Sequence, residues 1–347
     1  GKPQTPWCFK VDGRGAQFGS GFAQLDRLLG PTPRLQGEAT YAGGRWNFSS
    51  LDVEGTKAGV KAAGVLDRGN VLDFAFDWRA DGPFQAGPVE IAGNAKGDGA
   101  LTGTIEAPKA DLIADIEALD LPRLTIAPAR LALTFARLPN GGHGAVRLTG
   151  QSAYGEALAR ADFRFMDEGL DLTAIDARAG GVTAAGDLAL RGRSPSRADL
   201  ALTVGPGAFL DAGHGDGKLV IVDGAGGAQA ALRLAGENMR LKDSEVVIRA
   251  VDLNAEGLLS RLPYTVSADL NLPQAPVSFQ GRGFAAEQAP GWQVSFEGTG
   301  KAARADLKTL SPLLIQFGGP QRTASGALAI GAGRADFTAR QTKDDIA

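Results

Sequence analysis

Ala198-Asp199-Leu200-Ala201-Leu202-Thr203-Val204 carries an apolar residue at every second position, with Asp199, Ala201 and Thr203 between them. A period of two places one set on each face of a β-strand. The same alternation recurs on both sides of this stretch: at 71–78, 129–135, 145–149 and 161–165 before it, and at 231–234, 266–272 and 292–297 after it. Clusters rich in Gly, Asn and Asp separate these runs: Gly43-Gly44, Asn140-Gly141-Gly142, Asp167-Glu168-Gly169, Gly180-Gly181, Gly213-His214-Gly215-Asp216-Gly217 and Gly236-Glu237-Asn238. Each reads as a turn. The spacing predicts roughly 22 strands joined by short connections.

Helical periodicity is confined to short stretches. At 21–30, Phe22, Leu25, Leu28 and Leu29 form one stripe that ends at Gly30, as a short helix does. A second helix is expected over 305–318, with Leu307, Leu310, Leu314 and Phe317 in register and Pro312 setting its start near Ser311. The stretch 112–119 fits helix or strand equally. Strands do not alternate with long helices, which excludes a parallel α/β sheet.

Composition points the same way. The 347 residues include 49 Gly and an even larger number of Ala, while aromatics supply only 7%. So many small side chains cannot fill a thick interior at normal packing density; a thin sheet with a half-covered apolar face needs less bulk. With 44% hydrophobic and 22% charged residues, the chain is too apolar for a disordered one. A net charge of -3 supplies no basic field for phosphates, and nucleic acid is not an expected partner. No apolar run is long enough to cross a membrane as a helix. The start, which is not Met, and the end at 341–347 suggest an internal piece of a longer protein.

Units recur along the chain. Residues 51–66 match 175–188, with Val60 and Gly64 answered by Val182 and Gly186, 122 positions on in each case (182 − 60 and 186 − 64). A shorter Gly-x-Leu unit, read as a strand entry, begins at Gly64, Gly99, Gly186, Gly217 and Gly326. Repetition over the whole length predicts one extended, quasi-one-dimensional β region over 1–347, with weak breaks at 30–33 and 273–290.

A search for chemistry returns little. His143 and His214 lie in Gly-rich stretches with no second ligand at metal spacing. Cys8 stands alone beside Trp7 and Phe9 and is read as a small buried hydrophobe. Gly13, Gly15 and Gly19 have the wrong spacing for a dinucleotide fingerprint, and there is no phosphate loop, nucleophile elbow or zinc-helix motif. Gly97-Asp98-Gly99 reads as a hairpin turn. No metal, cofactor or catalytic residue is predicted, and the chain is not expected to be an enzyme.

The alternating strands, the Gly-x-Leu units, the paired segments 51–66 and 175–188, and 307–318 followed by Ala324-Ser325-Gly326-Ala327-Leu328-Ala329-Ile330 resemble the repetitive periplasmic part of the AsmA-like superfamily. Within it the translocation-and-assembly-module (TamB) branch is most similar and the YdbH relatives come second. The resemblance implies an all-β, elongated, curled sheet with an open, taco-like hydrophobic groove and one or two short helices. It also implies a periplasmic location, a parent protein anchored in the inner membrane, an Omp85-type outer-membrane partner for that parent, and movement of phospholipid between the two membranes.

In such a groove the apolar set of the alternation faces the lipid. The predicted lining is Leu131, Leu133, Phe135, Leu148, Phe163, Phe165, Leu200, Leu202, Val204, Leu232, Leu234, Leu270 and Leu272. Arg130, Arg147, Asp162, Arg164, Asp199, Arg233 and Asp269 fall on the other face. A lipid acyl chain left in water costs on the order of 10 kcal/mol, at about 0.8 kcal/mol per methylene, and a continuous apolar wall removes that cost. The alternative expectation is a scaffold or chaperone that holds unfolded strands during outer-membrane protein assembly.

Overall fold

A computed structural model describes residues 5–342 apart from 18, 20–22, 87–88, 122–123, 167–168, 193, 225, 289–290 and 319–320. The described chain is all-β, with 25 strands and one short helix. It divides into two compact units, Gly1–Gly180 and Gly181–Ala347.

The first unit runs β1 (Trp7–Arg14), α1 (Ala23–Leu29), β2 (Arg34–Ala42), β3 (Arg45–Glu54), β4 (Ala58–Leu66), β5 (Val71–Ala80), β6 (Phe84–Ala86), β7 (Val89–Ile91), β8 (Ala95–Thr104), β9 (Pro108–Ile116), β10 (Leu119–Leu121), β11 (Leu124–Leu138), β12 (Gly141–Ser152), β13 (Gly155–Met166) and β14 (Gly169–Ala179). Its strands pair antiparallel in the order β1-β2-β3-β4-β5-β8-β9-β11-β12-β13-β14. The short strands β6, β7 and β10 branch from β11. The second unit is a plain meander: β15 (Val182–Arg191), β16 (Ser194–Val204), β17 (Leu210–Val222), β18 (Gln229–Leu241), β19 (Val247–Leu258), β20 (Arg261–Asn271), β21 (Pro276–Gln288), β22 (Gly291–Ala302), β23 (Ala305–Phe317), β24 (Gln321–Ile330) and β25 (Gly333–Thr342), each paired antiparallel with the next. Among the described residues β1 is paired on one side only, with β2, and β25 only with β24, so the sheet does not close.

The expected helix at 21–30 is present as α1; Gly21 and Phe22 lie outside the described residues. Leu28 and Leu29 pack on Val53, Ala58, Trp78 and Ala80. Gly30, at φ 74°, ends the helix with its N–H donating to the Asp26 carbonyl at 2.9 Å, the left-handed stop that glycine accepts without a Cβ clash. The second expected helix is absent: 305–317 is β23, hydrogen-bonded to β22 and β24. The stretch holds both periods, and two neighbouring strands outweigh a weak helical stripe that Pro312 interrupts. Both ladders skip register around Leu310–Pro312, so the proline's missing N–H falls where pairing is already broken. The ambiguous 112–119 resolves as the end of β9 and the start of β10.

Several glycine clusters read as turns lie inside strands. Gly97-Asp98-Gly99 is in β8, Gly213 to Gly217 in β17, and Gly236 to Asn238 in β18. His143 and His214 accordingly stand on strands β12 and β17, both exposed, and not in turns. Gly43-Gly44 does form a two-residue hairpin, with φ of 59° and 83°, which only the mirror-image turn types require. Of Asp167-Glu168-Gly169, the first two residues lie outside the described residues.

The in-strand glycines have a packing role. Several face a large side chain on the apolar side: Gly64 is opposite Phe74, Gly99 opposite Phe76, Gly144 opposite Phe163, Gly186 opposite Leu200 and Gly217 opposite Leu234. A methyl group added at Gly64 would stand 2.6 Å from Phe74 Cγ, at Gly144 2.8 Å from Phe163 Cζ, and at Gly298 2.6 Å from Phe296 Cζ. The large side chains therefore lie across the glycines, covering the backbone without building a thick layer. The Gly-x-Leu units at Gly64, Gly99, Gly217 and Gly326 are such seats: the glycine receives a neighbour's side chain, and the Leu two residues on shares its face.

Candidate apolar groove

The face that collects the large apolar residues is legible strand by strand. On β16, Ala198, Leu200, Leu202 and Val204 are buried or half-buried while Arg197, Asp199, Ala201 and Thr203 are exposed. On β20, Leu262, Tyr264, Val266 and Ala268 alternate in the same way with exposed Pro263, Thr265, Ser267 and Asp269. Arg130, Arg147, Asp162, Arg164, Asp199, Arg233 and Asp269 are all exposed.

In the first unit, Leu131 lies opposite Leu148, Leu133 opposite Val146, and Phe135 shares a rung with Gly144 and Phe163. Phe165 stacks on Phe135 with ring centroids 5.8 Å apart and planes 5° from parallel, and on Phe163 at 6.5 Å. The six lining residues predicted here thus share one face. Phe165 is 40% exposed, so that face is wet in part.

In the second unit one rung joins Leu200, Leu219, Leu232, Ala255 and Tyr264, and the next joins Leu202, Gly217, Leu234, Leu253 and Val266. Val204 continues through Gly215, Gly236, Val251 and Ala268. Leu270 lies on β20 opposite Val277. Leu272 stands just beyond β20, where its N–H donates to the Ala275 carbonyl in the turn.

A cavity of about 560 Å³ opens on this face between β18 and β24, with Leu232, Leu253, Val266, Phe279, Phe296 and Leu313 among its walls. Of the predicted lining only Leu232 borders it. Val266, Val294 and Phe296 stand in stretches whose alternation is plain in the sequence, whereas Leu307 and Leu313 sit in the segment that reads as helix. Among the polar residues of this wall, beside Thr299, Lys308 and Thr309, is Tyr264. Its hydroxyl donates to the Ser295 carbonyl at 2.7 Å, and the Ser295 hydroxyl accepts from the Phe284 N–H at 3.1 Å. Two side-chain bonds satisfy backbone groups at this rung, and burial pushes the Tyr264 phenol above its ordinary value.

The opposite face carries a wider depression of about 1320 Å³, bordered by Arg233, Glu256, Arg282, Glu297, Arg334 and Asp336 with Phe284 and Leu314. It is larger, but its charges of both signs suit water better than hydrocarbon. In the first unit exposed ion pairs such as Arg130–Asp115 at 3.1 Å and Arg160–Asp176 at 2.8 Å contribute little singly. Between β1 and β2, the hydrogen-bonded Arg34 guanidinium holds the Asp12 carboxyl below its ordinary value, and Lys10 does the same to Glu38. Cys8, expected to be buried, is exposed on edge strand β1. Among the described residues no cluster of three or more His, Cys, Asp or Glu could hold a metal ion, and no helix is long and apolar enough to cross a membrane. Compared with known proteins, the chain matches no family model and no curated protein.

Proposed function

We propose that this chain is a lipid-carrying segment of the bacterial envelope, its apolar face covering phospholipid acyl chains as they pass through the periplasm between the inner and outer membranes. The observation that carries this reading is the roughly 560 Å³ cavity walled mostly by aliphatic and aromatic side chains, on the face to which the alternating strands turn their large apolar residues. A cavity so lined has nothing to offer a polar substrate, and burying apolar surface is what it can do. Headgroups would stay in water while the chains lie along the wall. The chemistry is transfer without covalent change and uses no cofactor. Membership of the AsmA-like superfamily, an anchored parent and an Omp85-type partner belong to the same proposal.

The test is mass spectrometry of an organic extract of the purified chain. Co-purifying phospholipid in stoichiometric amount is the expected result; a lipid-free protein that takes up none from donor vesicles would refute the reading.

A second reading, a scaffold for unfolded outer-membrane strands, is favoured by the side of β1 that pairs with no strand among the described residues, beside exposed Trp7, Phe9 and Val11. Saturable binding of an unfolded barrel peptide by lipid-free protein would select it.

A further inference from the structure

Aromatic residues are scarce in this chain, yet they gather at one end of the first hairpins. Trp7 and Tyr41 lie directly opposite each other on β1 and β2, and Tyr41 lies opposite Trp46 on β3. Trp46 is 4.9 Å from Tyr41, 5.0 Å from Phe9 and 6.1 Å from Phe48, ring centroid to centroid. All stand on the apolar face. Trp7 is 70% exposed and Phe9 43%.

The cluster is ordered by depth. Trp7, Tyr41 and Trp46, whose rings carry an N–H or O–H, sit on the apolar-face rung nearest the Gly43-Gly44 turn, one pair in from Ala42–Arg45. Phe9 and Phe48, which have no polar tip, sit one rung further in. Two arginines stand at the same end: Arg45 opens β3, and Arg68 lies against the turn, its Nε donating to the Gly43 carbonyl. Asp67 precedes Arg68, and Glu106 stands in the neighbouring turn, where the Ile105 N–H donates to the Asn70 carbonyl at 3.0 Å. Rings with one wet and one apolar end, backed by purely apolar rings and flanked by arginine, match the layering of a bilayer interface. The two arginines nearest the rings, Arg45 and Arg68, offer guanidinium groups to lipid phosphate, which favours lipids of negative charge.

From this arrangement we infer that the Trp7–Tyr41–Trp46 rim is a docking surface for an anionic lipid bilayer, the rings entering the headgroup layer and Arg45 and Arg68 meeting phosphate. It rests on the groove reading only in making this rim the place where acyl chains enter; docking itself stands apart from transport.

The experiment is co-flotation of the full chain with vesicles of phosphatidylcholine alone or mixed equally with phosphatidylglycerol. It is paired with tryptophan emission in a Trp78→Phe/Trp292→Phe background, where only Trp7 and Trp46 report. The expected result is flotation with the mixed vesicles, a blue shift, and quenching by lipid brominated near the headgroup. Arg45→Glu with Arg68→Glu should lower partitioning by about tenfold or more, as should added salt. Trp7→Ser with Phe9→Ser, at exposed positions of an edge strand, should abolish the blue shift with the circular dichroism unchanged. Flotation indifferent to charge reversal would overturn the inference, as would no flotation from a chain that still holds extractable lipid. Self-association through the rim, relieved by Trp7→Ser and without vesicle binding, would overturn it in favour of a protein interface.

Discussion

Phe163 lies across Gly144 on the neighbouring strand, so close that a Cβ at Gly144 would stand 2.8 Å from its Cζ. The pair shows how a sheet so rich in small residues stays covered. The glycine lets the ring lie flat, the ring shields the backbone that the glycine exposes, and the face above remains shallow enough to admit a ligand.

Gly144→Ala should therefore destabilise the chain by about 1–3 kcal/mol, the cost of overpacking a site that cannot yield, because the Thr134 carbonyl blocks the same space. Gly13→Ala, which meets nothing within 4 Å, should stay within about 0.5 kcal/mol of the parent. Urea unfolding of both variants checks this, and equal midpoints would show that the glycines are not seats.

Much of this was legible in the sequence, and the misreadings share a cause. Alternation at 198–204 and 266–272 locates strands and assigns faces, because the period of two is local. What a glycine does is decided by the strand beside it. Gly215 and Gly217 read as a turn until Val204 and Leu234 are seen across from them. The same holds for 305–317, where Leu307 and Leu310 sit three apart as a helix would place them; pairing with β22 and β24 puts Leu307 on the apolar face and leaves Leu310 48% exposed. Of the cavity walls, Leu307 and Leu313 on β23 are hidden for that reason, whereas Val294 and Phe296 on β22 alternate plainly in the sequence and only their place beside the cavity depends on the neighbouring strands.

A charge placed on the groove face should block lipid without unfolding the protein. Leu202→Asp or Phe165→Arg puts an ion at a half-buried or exposed position that water can still reach, so the burial penalty is partial, whereas acyl chains must leave the wall or desolvate the ion. Retained β-sheet circular dichroism with lost lipid uptake is the expected outcome. Arg147→Glu, on the other face, should change neither. Aggregation of the groove variants alone would mean the face is a closed core.

Alkaline pH should weaken the second unit through Tyr264. Burial raises its folded pKa above the ordinary 10.0, so the contribution is whole below that value and is lost as pH rises through the folded one. Tyr264→Phe should flatten this part of the stability profile, at the cost of the bond to the Ser295 carbonyl. An unchanged alkaline slope in Tyr264→Phe would remove the phenol from the account.

The central claim is that one face, and only one, touches acyl chains. A photo-crosslinking amino acid placed in turn at Leu253, Val266 and Phe279, and at their neighbours Asp252, Ser267 and Gln280, tests it residue by residue. Lipid adducts at the first three positions and none at the second three, a period of two along each strand with paired residues behaving alike, is the result predicted. Adducts on both faces, or none at Leu253, Val266 and Phe279 in the presence of phospholipid, would contradict it.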